Sequence, residues 1–312
     1  MSLYHPYFRG KQYELITIRE NSKLLKEANF VPIVEPVKES IKGVEKTIDS
    51  VVDTGGKIIV IVNPYHGDHK YNSDKIEKSI KKKKSPNVIP GILLTENTTL
   101  DIAEELVSTW ENYNISIIHA GFSDAKGLAS VLQSHRDIQN HIFLEAYCGK
   151  LYRRHFTIPK NRILLRDGFE KRINRKHPKV EFFSDLHITY EEEGMQGFGD
   201  FLMVGDDYSE TGGPAYAIAI HLTFIDPNKD DEMHIHHFKS DRQDDPTDPA
   251  GKFAEALEKL VAAVNSPDTN ILKTNAVGEF LRLSERGHYP GLGYVKKLSM
   301  QHHIETLADF FK

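Results

Sequence analysis

Short apolar runs that each end in a polar side chain recur along the first half of the chain: 30-FVPIVEPV-37, 57-KIIVIVNP-64, 88-VIPGILLTE-96, 115-ISIIHAG-121, 141-HIFLEAY-147 and 162-RILLRDGF-169. Stretches such as IIVIV and ISII are almost continuously apolar, the pattern of parallel strands covered by helices on both faces. Amphipathic segments alternate with them. In 41-IKGVEKTIDSVVDT-54 the residues Ile41, Val44, Ile48 and Val51 share one helical face. Helices are also expected within 74–84, 99–113 and 124–135. From residue 170 the rhythm changes. The stretch 170-EKRINRKHPKVEFFSD-185 is basic and helix-poor, and 199-GDFLMVGDD-207 has the pattern of a strand. Next, 215-AYAIAIHLTFID-226 and 232-EMHIHHFKS-240, separated by 227-PNKDD-231, predict a hairpin. Helices are expected at 250–265 and 271–286.

A closed β/α barrel and an open doubly wound sheet both accommodate this alternation. They differ in where polar groups gather: at the ends of many strands in a barrel, and at one reversal of strand order in an open sheet. Here Glu35 and Lys38, Asn63, Glu96, His119, Glu145, and Arg166 with Asp167 follow six successive strands. That spread predicts an α/β fold of modified TIM-type (β/α) barrel. One domain is expected over residues 1–312, with a late β-hairpin insertion at about 215–240.

Composition adds constraints. The chain has 312 residues, of which 39% are hydrophobic and 27% charged, with a formal net charge of −5. Bulk charge therefore does not favour a polyanion, although local basic stretches exist at 81-KKKK-84 and 171-KRINRKHPK-179. One cysteine, Cys148, excludes an intrachain disulfide and a cysteine-cluster zinc site. The opening MSLYHPYFRGKQ lacks the features of a secretion signal, and no apolar run reaches the length of a membrane span. A cytoplasmic location with no membrane partner is expected.

The candidate chemistry lies at the strand ends. A carboxylate after an apolar run is expensive to bury unless it is paired. Glu35 and Glu145 both follow such runs, with Lys38 and Arg166 available as partners, and Asp200 stands in the glycine-rich 194-GMQGFGDFLMVGDDYSETGGP-214. Glu35 is expected at the C-terminal mouth of the first strand, close to Glu145 and Arg9. The expected catalytic set is Glu35, Glu145, Asp200 and His119. The first three are also the expected ligands of a divalent metal such as magnesium, which favours oxygen donors. Arg9, Lys11, Lys38, Asn63 and Arg166 are the expected substrate-binding residues, since Arg forms a rigid donor fork and Lys a mobile point charge. Gly10 permits close backbone approach beside Arg9. In 234-HIHH-237, strand alternation sends His234 and His236 one way and His237 the other, with His221 expected beside the first pair. A solvated hairpin accounts for that cluster, and no HExxH, GxSxG or P-loop pattern occurs.

The pieces 6-PYFRGKQYEL-15, 32-PIVEPVK-38, 144-LEAY-147, 197-GFGDF-201 and 219-AIHLT-223 occur in an order that resembles an uncharacterised bacterial barrel-like family. That family is related to the phage and bacterial beta-protein family and is often encoded beside a predicted restriction-like nuclease. The opening has FRG where the family has LRG, which keeps an apolar side chain before Arg9. The resemblance implies a modified TIM-type barrel and a link to phage defence or mobile elements, and it ranks Asp200 above Asp206 and Asp207. Two functions are expected from the whole sequence, and enzymatic activity is left open between them. One is a metal-assisted hydrolase acting on a phosphate-containing substrate at the barrel mouth. The other is a non-catalytic binding or regulatory partner of a co-encoded nuclease, with nucleic acid as an alternative partner through the basic stretches.

Overall fold

The computed structural model describes residues 3–135, 137–157, 161–210 and 216–312. Ala215, the first residue of the expected hairpin, and the end of the glycine-rich stretch at 211–214 lie outside the described residues. Contacts group the chain into two compact units, residues 1–166 with 189–201 and residues 167–188 with 202–312. The strand and helix pattern predicts one domain across 1–312. Among the described residues, no helix is long and apolar enough to cross a membrane.

The strands in chain order are β1 (Tyr7–Phe8), β2 (Ile33–Val34), β3 (Ile58–Ile61), β4 (Val88–Thr95), β5 (Ile115–Ala120), β6 (Ile138–Leu144), β7 (Asn161–Leu165), β8 (Val180–Ser184), β9 (Gly197–Gly199), β10 (Ala219–Asp226) and β11 (Glu232–Lys239). β1 to β7 pair in parallel in sequence order, and β9 follows β7 as the eighth strand. Backbone bonds from His5 N–H to Phe198 O, Phe198 N–H to Leu3 O and Tyr7 N–H to Asp200 O, each 2.9 Å, bring the last strand back to the first. With its surrounding helices this is the TIM-type barrel expected from the pattern. The expected strand over 199–207 is displaced: β9 ends at Gly199, and Leu202 turns at φ 52°.

Alternation decides which side chains fill the barrel. Val31, Ile33, Ile59, Ile118, Ile142 and Ile163 belong to one buried interior cluster, while their strand neighbours face the helices. Prolines keep β1 and β2 short. Pro6 and Pro32 precede them and offer no N–H, yet their carbonyls accept Ile33 N–H and Ile59 N–H at 2.9 Å. The helix Lys42–Asp53 buries Val44, Ile48 and Val51 as its periodicity predicts, with Thr47 beside them, while Ile41 is the N-cap and only half-buried.

In the second unit β10 and β11 form the expected antiparallel hairpin, and β8 adds a third strand beside β11. Asp230 and Asp231 take φ of 52° and 62° in the connecting turn, a conformation that short polar side chains tolerate. Ile220, Leu222 and Phe238 pack with Phe253, Leu260 and Phe280 of the helices Pro249–Val264 and Asn275–Arg286. β8 had no separate strand signal in the sequence, because Val180 and Phe182 on this edge strand stay exposed and the stretch is dominated by charge.

Candidate functional site

At the C-terminal mouth of the barrel, Glu35 is the hub. It follows β2 on the same face as Val31 and Ile33, so its carboxylate enters the interior and is fully buried. Oε1 accepts the backbone N–H of Tyr65 at 2.8 Å and of His66 at 2.9 Å, with His66 Nδ1 at 3.2 Å. Oε2 accepts Tyr7 OH at 3.0 Å and pairs with Arg9 Nη1. Arg9 also lies over the Tyr7 ring, 4.8 Å from its centroid. Burial alone would raise the Glu35 pKa. The His66 hydrogen bonds and the Arg9 charge outweigh it and pull the carboxyl down to about 2. Gly10 makes this packing possible: it sits at φ +64°, and a Cβ there would lie 2.8 Å from Glu35 O.

Arg9 therefore pairs with Glu35 as expected, while Lys38, the other available partner, does not. Lys38 is exposed, and its carbonyl accepts from His69 Nε2 at 3.0 Å. His66, which closes the run 60-VIVNPYH-66, is a site residue outside the expected set. The signal was a histidine at a strand exit, which only the loop path brings to Glu35.

The remaining expected site residues hold separate partners. Glu145 meets Arg166 through two bonds, at 2.6 and 3.1 Å, near the ends of β6 and β7. Asp200 accepts Tyr4 OH at 2.7 Å. The Tyr4 ring packs on Phe30 and Phe198, so Asp200 faces away from the interior that its neighbour Phe201 enters. His119 alternates with Ile118 and Ala120 and so faces the helices instead of the mouth. Its ring stacks on Phe143, with Nδ1 at 2.8 Å from Tyr152 OH and Nε2 at 3.1 Å from His141 Nδ1. Burial first, and His141 second, hold His119 well below the ordinary imidazole pKa. Asn63 completes the strand ladder, donating to Leu93 O at 2.8 Å and accepting Leu93 N–H at 2.9 Å. Lys11 caps the helix Gln12–Glu20, its N–H directed at the Glu14 carboxylate.

Glu35, Glu145 and Asp200 are thus not gathered into one ligand set. Among the described residues, the group able to hold a metal is His177, His221 and His237 in the second unit, with one ligand atom from each within 4.8 Å of the others. The register of the hairpin creates it. His221 is the direct cross-strand partner of His237, so it joins His237 and not the expected His234 and His236. Their Nδ1 atoms are 2.7 Å apart. His177 arrives from the segment before β8 and stacks on His237 at 4.4 Å between ring centroids. Glu181 accepts His237 Nε2 at 2.9 Å and lies 3.5 Å from His177 Nδ1. Arg172 in turn holds Glu181 at 2.7 Å.

This arrangement suits a metal. A carboxylate on one ring nitrogen fixes the tautomer and turns the other nitrogen toward an ion. Burial is the main cause that lowers all three imidazoles, taking His237 to about 4, so the rings are neutral, which is the ligating form. Three nitrogen donors match zinc-class ions better than the magnesium expected from carboxylates.

No family model matches the chain, and no curated protein matches it. Among solved structures the chain is similar to tryptophan synthase from M. tuberculosis in its aminoacrylate- and BRD0059-bound form. The TM-score is 0.43 and the identity 11%, with 65% of this chain and 84% of that chain covered.

Proposed function

We propose that the protein is a metal-assisted hydrolase of phosphate-containing substrates, with its metal at His177, His221 and His237. The convergence of three neutral imidazoles, one of them hydrogen-bonded to Glu181, carries this reading. A divalent ion held there would supply Lewis acidity toward a phosphoryl oxygen and lower the pKa of a water. The chain's own residues do the rest. Glu181 holds the His237 ring through Nε2, and Arg172 keeps Glu181 ionised. The proposed metal thus moves from the expected carboxylates to imidazoles, and Glu35 becomes a clamp that fixes the loop after β3 to β1 and β2.

The test is metal content and turnover of bis(p-nitrophenyl) phosphate after reconstitution with zinc, manganese or cobalt. His221→Ala and His237→Ala should lose both bound metal and activity. Turnover that survives chelation and both substitutions would remove the assignment.

A second reading, a non-catalytic partner of a co-encoded nuclease within phage defence, draws on the resemblance of the strand-end motifs. The saturation of Glu35 also supports it, because a carboxylate holding five donors is built to fix a loop. It predicts metal uptake without turnover, together with co-purification of the nuclease.

A further inference from the structure

We infer that the substrate of the three-histidine site is the phosphodiester backbone of a nucleic acid, drawn along residues 171–179; this rests on the metal-hydrolase reading above. His177 lies inside the most basic part of the second unit, 171-KRINRKHPK-179. Lys171, Arg172, Arg175, Lys176 and Lys179 are all exposed. Two of them are committed, Lys171 to Asp207 at 3.2 Å and Arg172 to Glu181 at 2.7 Å. Arg175, Lys176 and Lys179 have no ion-pair partner among the described residues. They flank His177 on both sides within two residues.

Their backbone is held in place. The Lys239 ammonium donates to the carbonyl of His177 and approaches that of Arg175 at 3.5 Å. Asn174 Nδ2 donates to Ala217 O at 2.8 Å, and His237 N–H donates to Lys179 O at 2.9 Å. Pro178 also restricts His177 to extended backbone, where it sits at φ −63° and ψ 141°. Like charges at this density repel one another, and acidic side chains neutralise only two of the five. In the other basic run Lys81 pairs with Glu77 at 2.7 Å and Lys83 pairs with Asp49, while Lys82 and Lys84 stay exposed. What sets 171–179 apart is that its unpaired cations flank a member of the three-histidine cluster.

A single phosphate ester presents its charge at one point and would be met by cations converging there. Unpaired cations spread on either side of the metal ligand instead match a repeating anion whose neighbouring phosphates extend both ways. Such contacts position a backbone without reading bases, so binding should be insensitive to sequence and steeply salt-dependent.

The zinc-reconstituted full chain is titrated by fluorescence anisotropy with labelled single-stranded DNA, single-stranded RNA and duplex DNA. Phosphatidylserine vesicles and inorganic phosphate serve as competitors. The expected log–log salt slope is about −2 for single strands and about −3 for duplex, from three phosphate contacts. Combined Arg175→Glu, Lys176→Glu and Lys179→Glu should bring the slope toward zero and abolish binding, with zinc content unchanged. Lys81→Glu with Lys83→Glu should leave binding intact. A wild type that retains zinc and cleaves a small phosphodiester but binds no nucleic acid at low salt overturns this inference alone. So does preferential capture by vesicles, or loss of binding in the Lys81 and Lys83 variant. A wild type without metal overturns this inference and the metal reading together.

Discussion

Replacing Glu35 with Gln preserves the shape of the most heavily bonded side chain at the barrel mouth and removes its charge. The amide retains one acceptor oxygen, so the Tyr65 and His66 N–H groups can still be met. Its NH2 then faces the Arg9 and Tyr7 donors, so the buried guanidinium loses the negative charge beside its Nη1. Breaking a buried pair from one side costs about 3–5 kcal/mol. Linkage leads to a similar figure, since a carboxyl held at about 2 against its ordinary 4.5 contributes about 3 kcal/mol. Because the folded value is depressed, that stability is complete above the unfolded pKa and is lost as pH falls through about 2. Urea unfolding followed by tryptophan fluorescence reads this unit directly, because Trp110 is the only tryptophan and is buried within it. Glu35→Gln should be less stable by about 3 kcal/mol at neutral pH, and the gap should narrow by roughly 2 kcal/mol between pH 6 and pH 3. A gap below about 1 kcal/mol at neutral pH, or one that stays constant on acidification, would refute the clamp.

Glu181→Gln should weaken zinc affinity by about 10–100-fold while the fold survives, read by competition with a chromogenic chelator; unchanged affinity would show that Glu181 does not orient His237. His119→Asn should leave phosphodiester turnover unchanged and cost about 1–3 kcal/mol of stability, because its ring is buried on the helix-facing side with Tyr152 and His141; lost activity with intact stability would return it to the site. Gly91→Ala places a Cβ 2.9 Å from both Ile59 and Ile118 inside the barrel. The resulting overpacking should cost about 1–3 kcal/mol in Trp110-monitored unfolding, and a neutral result would mean that the interior has slack.

The apolar runs by themselves determined that strands alternate with helices, because burial on both faces leaves its mark on every residue of a run. The spread of polar strand ends then separated barrel from open sheet. Alternation from Val31 and Ile33 was enough to place Glu35 inside, since side-chain direction within one strand is a local property. Its neighbours were legible only in part: Arg9 was expected and is there, whereas Lys38 and Glu145 were expected on the same grounds and hold other places. Lys38 is nearer in sequence, yet Arg9 arrives across the parallel pairing of β1 with β2, and His66 through the path of a loop. The same limit applies to His119 and Asp200. His119 lies within an apolar strand and Asp200 just after the short Gly197–Gly199 strand, but their registers turn them to the outer face of the sheet, and one residue of phase separates a mouth ligand from a helix contact. The metal-capable cluster depended on tertiary structure most of all. His177, His221 and His237 have no short spacing, and the hairpin alternation visible in 234-HIHH-237 singled out the wrong pair. The register of β10 against β11 set His221 opposite His237, and the addition of β8 to the hairpin brought up Glu181 beside them. Register is a long-range choice made by the packing of Ile220, Leu222 and Phe238 against the helices, and it has no local signature in the residues that it brings together.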